Sequence, residues 1–158
     1  MGGENNLKFI VLLREPVSRA YSHYQMIKKR KKENLPFLLA IFFEKFRIKK
    51  SIDSKRDFSY LSRGFYSSQL ERYFELFDKN NFYIVLYEDF VNNQNKYMNE
   101  ILQFLGVFKQ YNFENKIVFK GKYKPINPLV KYFLKIYYKN EYKKLSQYGL
   151  NTQAWENY

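Results

Sequence analysis

The sequence contains no cysteine and a single histidine, His23, among its 158 residues. The absence of cysteine excludes a disulfide-stabilised scaffold, a zinc site built on thiolates and a cysteine nucleophile. One histidine argues against a histidine-rich metal centre and a histidine-based catalytic triad, so we predict no metal site. Glycine is also scarce, with six residues, and no glycine-rich phosphate-binding loop occurs in the sequence.

Acidic residues are few compared with basic ones. The chain carries 28 Lys and Arg against 15 Asp and Glu, a net charge of +13. Such a charge favours polyanionic partners, namely nucleic acid, acidic glycans, phosphorylated cofactors or anionic membranes. Lys, Asn, Tyr, Phe and Ile are abundant and all have A/T-rich codons, so a genome of low GC content would account for part of the excess of lysine. The positions of the charges are therefore more informative than their number.

Long apolar runs are also missing. The longest, Pro36–Phe43, is too short to span a bilayer, and Met1–Asn6 is polar. We therefore expect no signal peptide, no membrane span and a cytoplasmic protein. The length predicts a single domain over residues 1–158 and leaves the oligomeric state open.

Two apolar runs without alternation, Lys8–Leu13 and Phe82–Tyr87, predict strands buried on both faces, as in a parallel sheet. Lys49–Phe58 lacks apolar periodicity and predicts a loop. Apolar spacing predicts helices over about 16–27, 35–46, 65–77, 95–105, 129–138 and 141–148. The expected fold class is α/β, with a small parallel sheet flanked by helices and a high helix content.

The segment Phe9–Tyr24 carries the clearest chemical signal. Arg14 directly follows the first predicted strand, at the carboxyl edge where open α/β sheets bind their ligands. The next helix offers N-terminal amides to an anion, and Ser22 lies about two turns along it. A guanidinium and a hydroxyl can both donate to a phosphate, so the segment predicts an oxyanion site.

A plainer interpretation of the same residues remains open. Arg14 and Arg19 can pair with Glu15 or point into solvent, and Ser22 can occupy an ordinary helix surface. Short motifs often occur by chance, so spacing alone does not decide between the two interpretations.

The residues themselves favour the first interpretation. Phe9–Tyr24 resembles the segment R-x-P-x-x-R-A-x-S of sulfotransferases that use 3′-phosphoadenosine 5′-phosphosulfate (PAPS). The resemblance implies that Arg14 and Ser22 bind the 3′-phosphate of PAPS or of 3′,5′-ADP. Further segments are similar to family motifs in the same order, most closely to bacterial and heparan-sulfate-type members: Tyr60–Tyr73, Phe82–Phe90 and Ile101–Val107.

Lys120–Pro125 resembles a loop of the heparan-sulfate type, K-G-R-x-x-P, which folds over the cofactor. Lys122 replaces the arginine of that loop and would offer a point charge in place of a two-pronged contact. The alternative is a basic surface loop. The resemblance implies that five loop residues contact the cofactor: Lys120, Gly121, Lys122, Tyr123 and Lys124.

The resemblance also implies a fold and a reaction. The fold would be similar to that of P-loop kinases, and a sulfuryl group would pass from PAPS to a hydroxyl or amine, with a carbohydrate as the expected acceptor. The family's 5′-phosphosulfate loop, K-x-G-T-T-x-L, and the catalytic glutamate after it are absent from these residues. We therefore expect the C-terminal portion of a sulfotransferase domain without its first strand and phosphosulfate loop. We assign no catalytic residue and expect little activity from these residues alone.

A second function stays open, a non-catalytic basic module that binds nucleic acid or other polyanions. Lys28–Lys32 could bind such a polyanion or could line an acceptor cleft. A solvated helix end is the favoured interpretation, and we expect no specific nucleic-acid partner.

The other candidate residues are expected to be structural. His23 is expected to be a packed or exposed helix residue, and Glu88 and Asp89 are expected to have structural roles. An aromatic cluster is expected to pack in the core: Tyr132, Phe133, Tyr137, Tyr138 and Tyr142.

Overall fold

The computed structural model describes residues 7–114, 121 and 123–157. They form two compact units, one with residues 7–14 and 68–114 and the other with residues 15–67, 121 and 123–157. Helices dominate, and the strands form a small parallel sheet, so the α/β class expected from the sequence is confirmed. The single domain over residues 1–158 stays a prediction.

The sheet lies in the first unit and has two described strands, β1 (Phe9–Leu13) and β2 (Phe82–Leu86). They pair in parallel, with Phe9 opposite Phe82 and Leu13 opposite Leu86. Both strands lie where the apolar runs predicted them. However, Ile10 and Leu12 are 46% and 49% exposed, so the prediction that β1 is buried on both faces is wrong. Alternate residues of a strand point to opposite faces, and aromatic rings cover the face that carries Phe9.

The described residues contain nine α-helices and short 3₁₀ turns at Ser62–Gly64 and Lys79–Asn81. In chain order the helices are α1 (Pro16–Lys29), α2 (Phe37–Phe42), α3 (Glu44–Arg47), α4 (Ile52–Phe58), α5 (Tyr66–Phe74), α6 (Tyr87–Asn92), α7 (Gln94–Phe104), α8 (Pro128–Ser146) and α9 (Gln153–Asn157).

The helices differ from the sequence-based expectations at four places. The single helix expected over 35–46 is two short helices, α2 and α3, which meet at Phe43. The loop predicted at Lys49–Phe58 is mostly α4, whose start is capped by the Ser51 hydroxyl, and its few apolar residues gave no periodic signal. The two helices predicted after residue 128 are one continuous helix, α8, because its buried face runs unbroken from Leu134 to Leu145. Helix α6 was not predicted, since Glu88 and Asp89 were expected only to end the strand.

The second unit has a core centred on α1. Ala20, Tyr24 and Ile27 of α1 pack with Ala40 of α2 and with Tyr60, and all five are buried. Because these α1 positions recur every three or four residues, one face of the helix is covered along its length.

Helix α8 adds a second buried layer to this unit. Tyr138 and Tyr142 are buried, as expected, but three other aromatic residues of the predicted cluster are exposed: Tyr132, Phe133 and Tyr137. These three lie on the opposite side of α8, because successive helical residues are about 100° apart. The Tyr138 ring also explains Gly64, since a Cβ there would lie 2.6 Å from the Tyr138 hydroxyl oxygen.

A buried carboxylate fixes the start of α1. Glu15 is fully buried and accepts hydrogen bonds from the backbone amides of Val17 (2.8 Å) and Ser18 (2.6 Å). The Tyr142 hydroxyl of α8 donates a third hydrogen bond to Glu15, at 2.8 Å. Burial and the neighbouring Glu15 carboxylate raise the pKa of Tyr142, so its hydroxyl remains a donor at neutral pH.

Tyr142→Phe should therefore destabilise the protein. The substitution leaves a buried carboxylate with one donor fewer, which costs about 1.5–3 kcal/mol for a hydrogen bond to a charged group. Chemical denaturation monitored by circular dichroism measures this loss. Tyr132→Phe on the exposed side of the same helix is the matched control, and it should change the free energy of unfolding by less than about 0.5 kcal/mol. Equal effects of the two variants would contradict the role given to the Glu15–Tyr142 contact.

Candidate functional site

Arg14 lies in the first unit, directly after β1 at the carboxyl end of the sheet. Its guanidinium stacks over the ring of Tyr87, with 5.1 Å between the guanidinium carbon and the ring centroid. Tyr87 begins α6 directly after β2, so the carboxyl ends of both strands contribute to this contact. The aromatic face attracts the cation and orients the guanidinium. Tyr87 was not recognised from the sequence.

Ser22 lies in the second unit, half-buried on α1. The expectation that the first amides of α1 bind an anion is wrong, because the Glu15 carboxylate already accepts from Val17 and Ser18. An anion near α1 must therefore be held by side chains, and the Ser22 hydroxyl is one available donor.

Arg19 and His23 lie on α1 within one turn of Ser22. Arg19 donates a hydrogen bond to the backbone carbonyl of Tyr60, and its buried Nε has no hydrogen-bond partner in the part of the chain that the structure describes. His23 packs edge-on against the Tyr60 ring, with 5.2 Å between ring centroids. His23 is therefore a packed helix residue, as expected. The unmet Nε donor of Arg19 is the kind of group that an anion or a water satisfies.

The charge state of His23 follows from its surroundings. Burial and the nearby cations Arg19 and Arg63 lower the pKa of His23 to about 4, although a hydrogen bond to the backbone of Ser59 acts in the opposite direction. The ring is thus neutral at pH 7. Arg63 was not expected at this place, but it belongs to the R-G pair of the Tyr60–Tyr73 segment, which could have indicated it.

Part of the predicted cofactor loop contacts α1. The Tyr21 hydroxyl donates to the backbone carbonyl of Lys124 at 3.0 Å, and the Tyr21 and Tyr123 rings meet edge to face with centroids 5.7 Å apart. A Cβ on Gly121 would lie too close to the Tyr123 ring, so a larger residue there would have to displace this ring. The structure thus places two predicted loop residues, Tyr123 and Lys124, beside Tyr21, the residue that precedes Ser22.

Two other predicted loop residues, Lys120 and Lys122, lie outside the described residues. Arg14 belongs to the first unit, whereas the described part of the loop and Ser22 belong to the second.

Two further charged segments have the structural positions expected from the sequence. Lys28–Lys32 is exposed where α1 ends, as expected for a solvated helix end, and Lys32 also pairs with Asp57. Glu88 and Asp89 lie in the first turn of α6, where the helix dipole favours carboxylates. Within the described ranges, no group of three or more acidic or histidine side chains could hold a metal ion, and no helix is long and apolar enough to cross a membrane.

Comparison with solved structures gives a fold match. A sulfotransferase from Alicyclobacillus acidocaldarius superposes with a TM-score of 0.79 at 22% sequence identity. The match covers 94% of this chain and 57% of that protein, so the present chain spans little more than half of its length. At this identity the match supports the fold alone.

Comparison with curated proteins found no match. The family model described as "Sulfotransferase domain" matches residues 3–146, which is most of the chain. That range includes the Arg14 and Ser22 segment, both strands and the Tyr123–Lys124 loop. The chain therefore belongs to the sulfotransferase domain family.

Proposed function

We propose that this chain forms the part of a sulfotransferase site that binds the 3′-phosphate of PAPS. Arg14 and Ser22 donate to the phosphate, in the positions given by the R-x-P-x-x-R-A-x-S segment. Guanidinium and hydroxyl donors suit a phosphate, and the unmet Nε of Arg19 lies one turn from Ser22 on α1. The donor chemistry therefore fits the nucleotide.

The observation that carries this proposal is the contact between the Tyr123–Lys124 loop and Tyr21. The two segments are 103 residues apart in sequence, and both resemble cofactor-binding segments of one enzyme family. Their contact on α1 supports a shared ligand. Three lysines of this loop, Lys120, Lys122 and Lys124, would then add positive charge over the bound nucleotide.

Bound PAPS would supply the sulfuryl group that is transferred to a hydroxyl or amine of the acceptor. The residues of this chain bind and orient the nucleotide, because Arg14 offers a planar fork and Ser22 a single donor. The neutral ring of His23 adds no positive charge next to Ser22 on α1. We propose a carbohydrate acceptor, supported by the likeness of the Lys120–Pro125 loop to the heparan-sulfate type and by the net charge of +13. The cytoplasmic location stays a prediction.

The second candidate is a non-catalytic module that binds polyanions through its net charge. Such binding would fall with salt for any polyanion and would not depend on Arg14. A 3′-phosphate site behaves differently, since it distinguishes 3′,5′-ADP from 5′-AMP at constant salt.

Arg14→Ala tests the phosphate site. Calorimetric titration should show 3′,5′-ADP binding weakened by about 10- to 100-fold, because a charge-assisted contact contributes about 1.5–3 kcal/mol. The affinity for 5′-AMP should change little. Arg72→Ala, which removes an exposed arginine of the same unit, is the matched control and should leave both affinities unchanged. An undiminished preference for 3′,5′-ADP in Arg14→Ala would reject the site.

Tyr21→Phe tests the loop. It removes the hydrogen bond to the Lys124 carbonyl and leaves the ring contact with Tyr123 in place. We expect 3′,5′-ADP to bind roughly 3- to 10-fold more weakly, with the thermal midpoint within a few degrees of the parent, because a net hydrogen bond contributes about 0.5–1.5 kcal/mol. An unchanged affinity would mean that the loop does not act on the nucleotide.

The third test concerns turnover. No K-x-G-T-T-x-L segment occurs among the 158 residues, and none of the described site residues is placed to activate an acceptor. We propose that this chain alone binds the nucleotide but transfers sulfate from PAPS at background rates. An assay of 3′,5′-ADP release with a panel of glycan acceptors measures this. Turnover at rates typical of enzymes, about 1 s⁻¹ or more, would contradict the proposal.

A further inference from the structure

The α2–α3 segment exposes an unusual amount of apolar surface. Phe42 and Phe46 are 72% and 71% exposed, although they belong to the most apolar stretch of the sequence. The exposed residues recur at intervals of about four and so share one side of the segment: Leu38, Leu39, Phe42, Phe43 and Phe46. We call these five residues the α2–α3 patch. Single exposed apolar residues are common, but a contiguous group marks an interaction surface.

The opposite side of the segment is well packed. Ala40 is buried against α1 and Tyr60, and Glu44 is buried where it accepts the backbone amides of Leu61 (2.6 Å) and Ser62 (2.8 Å). These contacts fix which side of the segment faces outward. The exposure of Phe42 and Phe46 therefore follows from the way the segment is anchored.

Basic residues surround the patch in sequence and in space. Residues 28–57 contain eleven Lys and Arg against four Asp and Glu, a net +7 out of the chain's +13. Lys32 pairs with Asp57 of α4 at 2.7 Å, and Glu33 pairs with Arg47 of α3 at 2.7 Å. These contacts join the basic end of α1 to α4 and to α3, the helix that carries Phe46.

The acidic residues of this region are turned inward. Glu33, Glu44 and Asp57 are buried, and each is held by hydrogen bonds or an ion pair. Asp53, which is exposed, is the only acidic residue of 28–57 that faces solvent. The outward surface of this region is therefore apolar and strongly cationic at once.

We propose that the α2–α3 patch and the cations around it dock on the surface of an anionic lipid bilayer. Leucine and phenylalanine side chains enter the boundary between headgroups and acyl chains, while lysines contact lipid phosphates. A duplex nucleic acid or an acidic glycan would use the cations but would leave Phe42 and Phe46 in water, and the bases of a single strand would stack on phenylalanine but not on Leu38 and Leu39. A bilayer uses both features of the surface, and helices of this length lie in its interface and do not cross it.

Vesicle sedimentation of the whole chain tests the proposal. We expect binding to vesicles of phosphatidylcholine mixed with phosphatidylglycerol, weaker binding as salt rises, and little binding to phosphatidylcholine alone. Equal binding to both kinds of vesicle would overturn the electrostatic part of the proposal, and no binding to either would overturn it entirely.

Two double variants separate the apolar contribution from general effects. Phe42→Ser with Phe46→Ser should lower binding to the anionic vesicles by about tenfold or more, since each buried phenylalanine contributes strongly to membrane affinity. Leu76→Ser with Phe108→Ser is the matched control, because these residues are 75% and 80% exposed but lie in the first unit. The control should bind like the parent, and thermal melting should show both variants folded.

Lys49→Gln with Lys50→Gln measures the charge contribution and should lower binding by about 30-fold, because each lysine near an anionic membrane surface contributes about 1 kcal/mol. Competing interpretations give other results. If heparin or DNA binds tightly while vesicles do not, the surface is a polyanion site. If the Phe42 and Phe46 double variant converts a dimer into a monomer in size-exclusion chromatography, the patch joins two copies. Either result overturns the membrane proposal.

Discussion

The buried carboxylate of Glu15 is the interaction on which the arrangement of the second unit depends. It caps the first amides of α1 and accepts the Tyr142 hydroxyl from α8, a residue 127 positions away in sequence. Because it fixes the residue at which α1 begins, it also fixes where Ser22 and Tyr21 lie along that helix. Removing a carboxylate from water is costly unless its oxygens are satisfied, and three donors meet that requirement here. The same arrangement occupies the helix amides, so ligand binding depends on side chains.

Glu15 is one example of a rule that several carboxylates of this unit follow. Glu33 accepts from Arg47 and Tyr60, Glu44 from two backbone amides, and Glu141 from the amide and hydroxyl of Ser67. Arg47 and Tyr60 stabilise the ionised form of Glu33 and lower its pKa, although burial acts in the opposite direction. Each of these buried acids joins segments that are distant in sequence. Because these carboxylates are buried inside the protein, the solvent-exposed surface is more basic than the composition indicates. This strengthens the attraction of the surface to anions of any kind.

The sequence predicted the parts of this structure that depend on local patterns. Both strands follow apolar runs, and the sulfotransferase family was identifiable from the segment that contains Arg14 and Ser22. The contact of Tyr21 with Lys124 was not, because it joins segments 103 residues apart through a backbone carbonyl that no side-chain pattern reveals. Helix α4 was missed for a similar reason, since it lacks apolar spacing and contacts the rest of the chain through the distant Lys32–Asp57 pair. The exposure of Phe42 and Phe46 was also unpredictable, because an apolar run shows that a surface is hydrophobic but not what covers it.

The two uses of positive charge proposed for this chain differ in their physical demands. The proposed phosphate site needs donors at fixed positions. Tyr87 stacks on the Arg14 guanidinium, and Glu15 sets the start of the helix that carries Ser22. A lipid surface needs only a high density of cations beside apolar side chains, and long lysines on exposed helix ends provide this without fixed geometry. An A/T-rich genome supplies lysine and phenylalanine freely, so the second kind of surface can arise from composition once buried acids leave the outside cationic. The first kind cannot, because it depends on particular residues at particular positions.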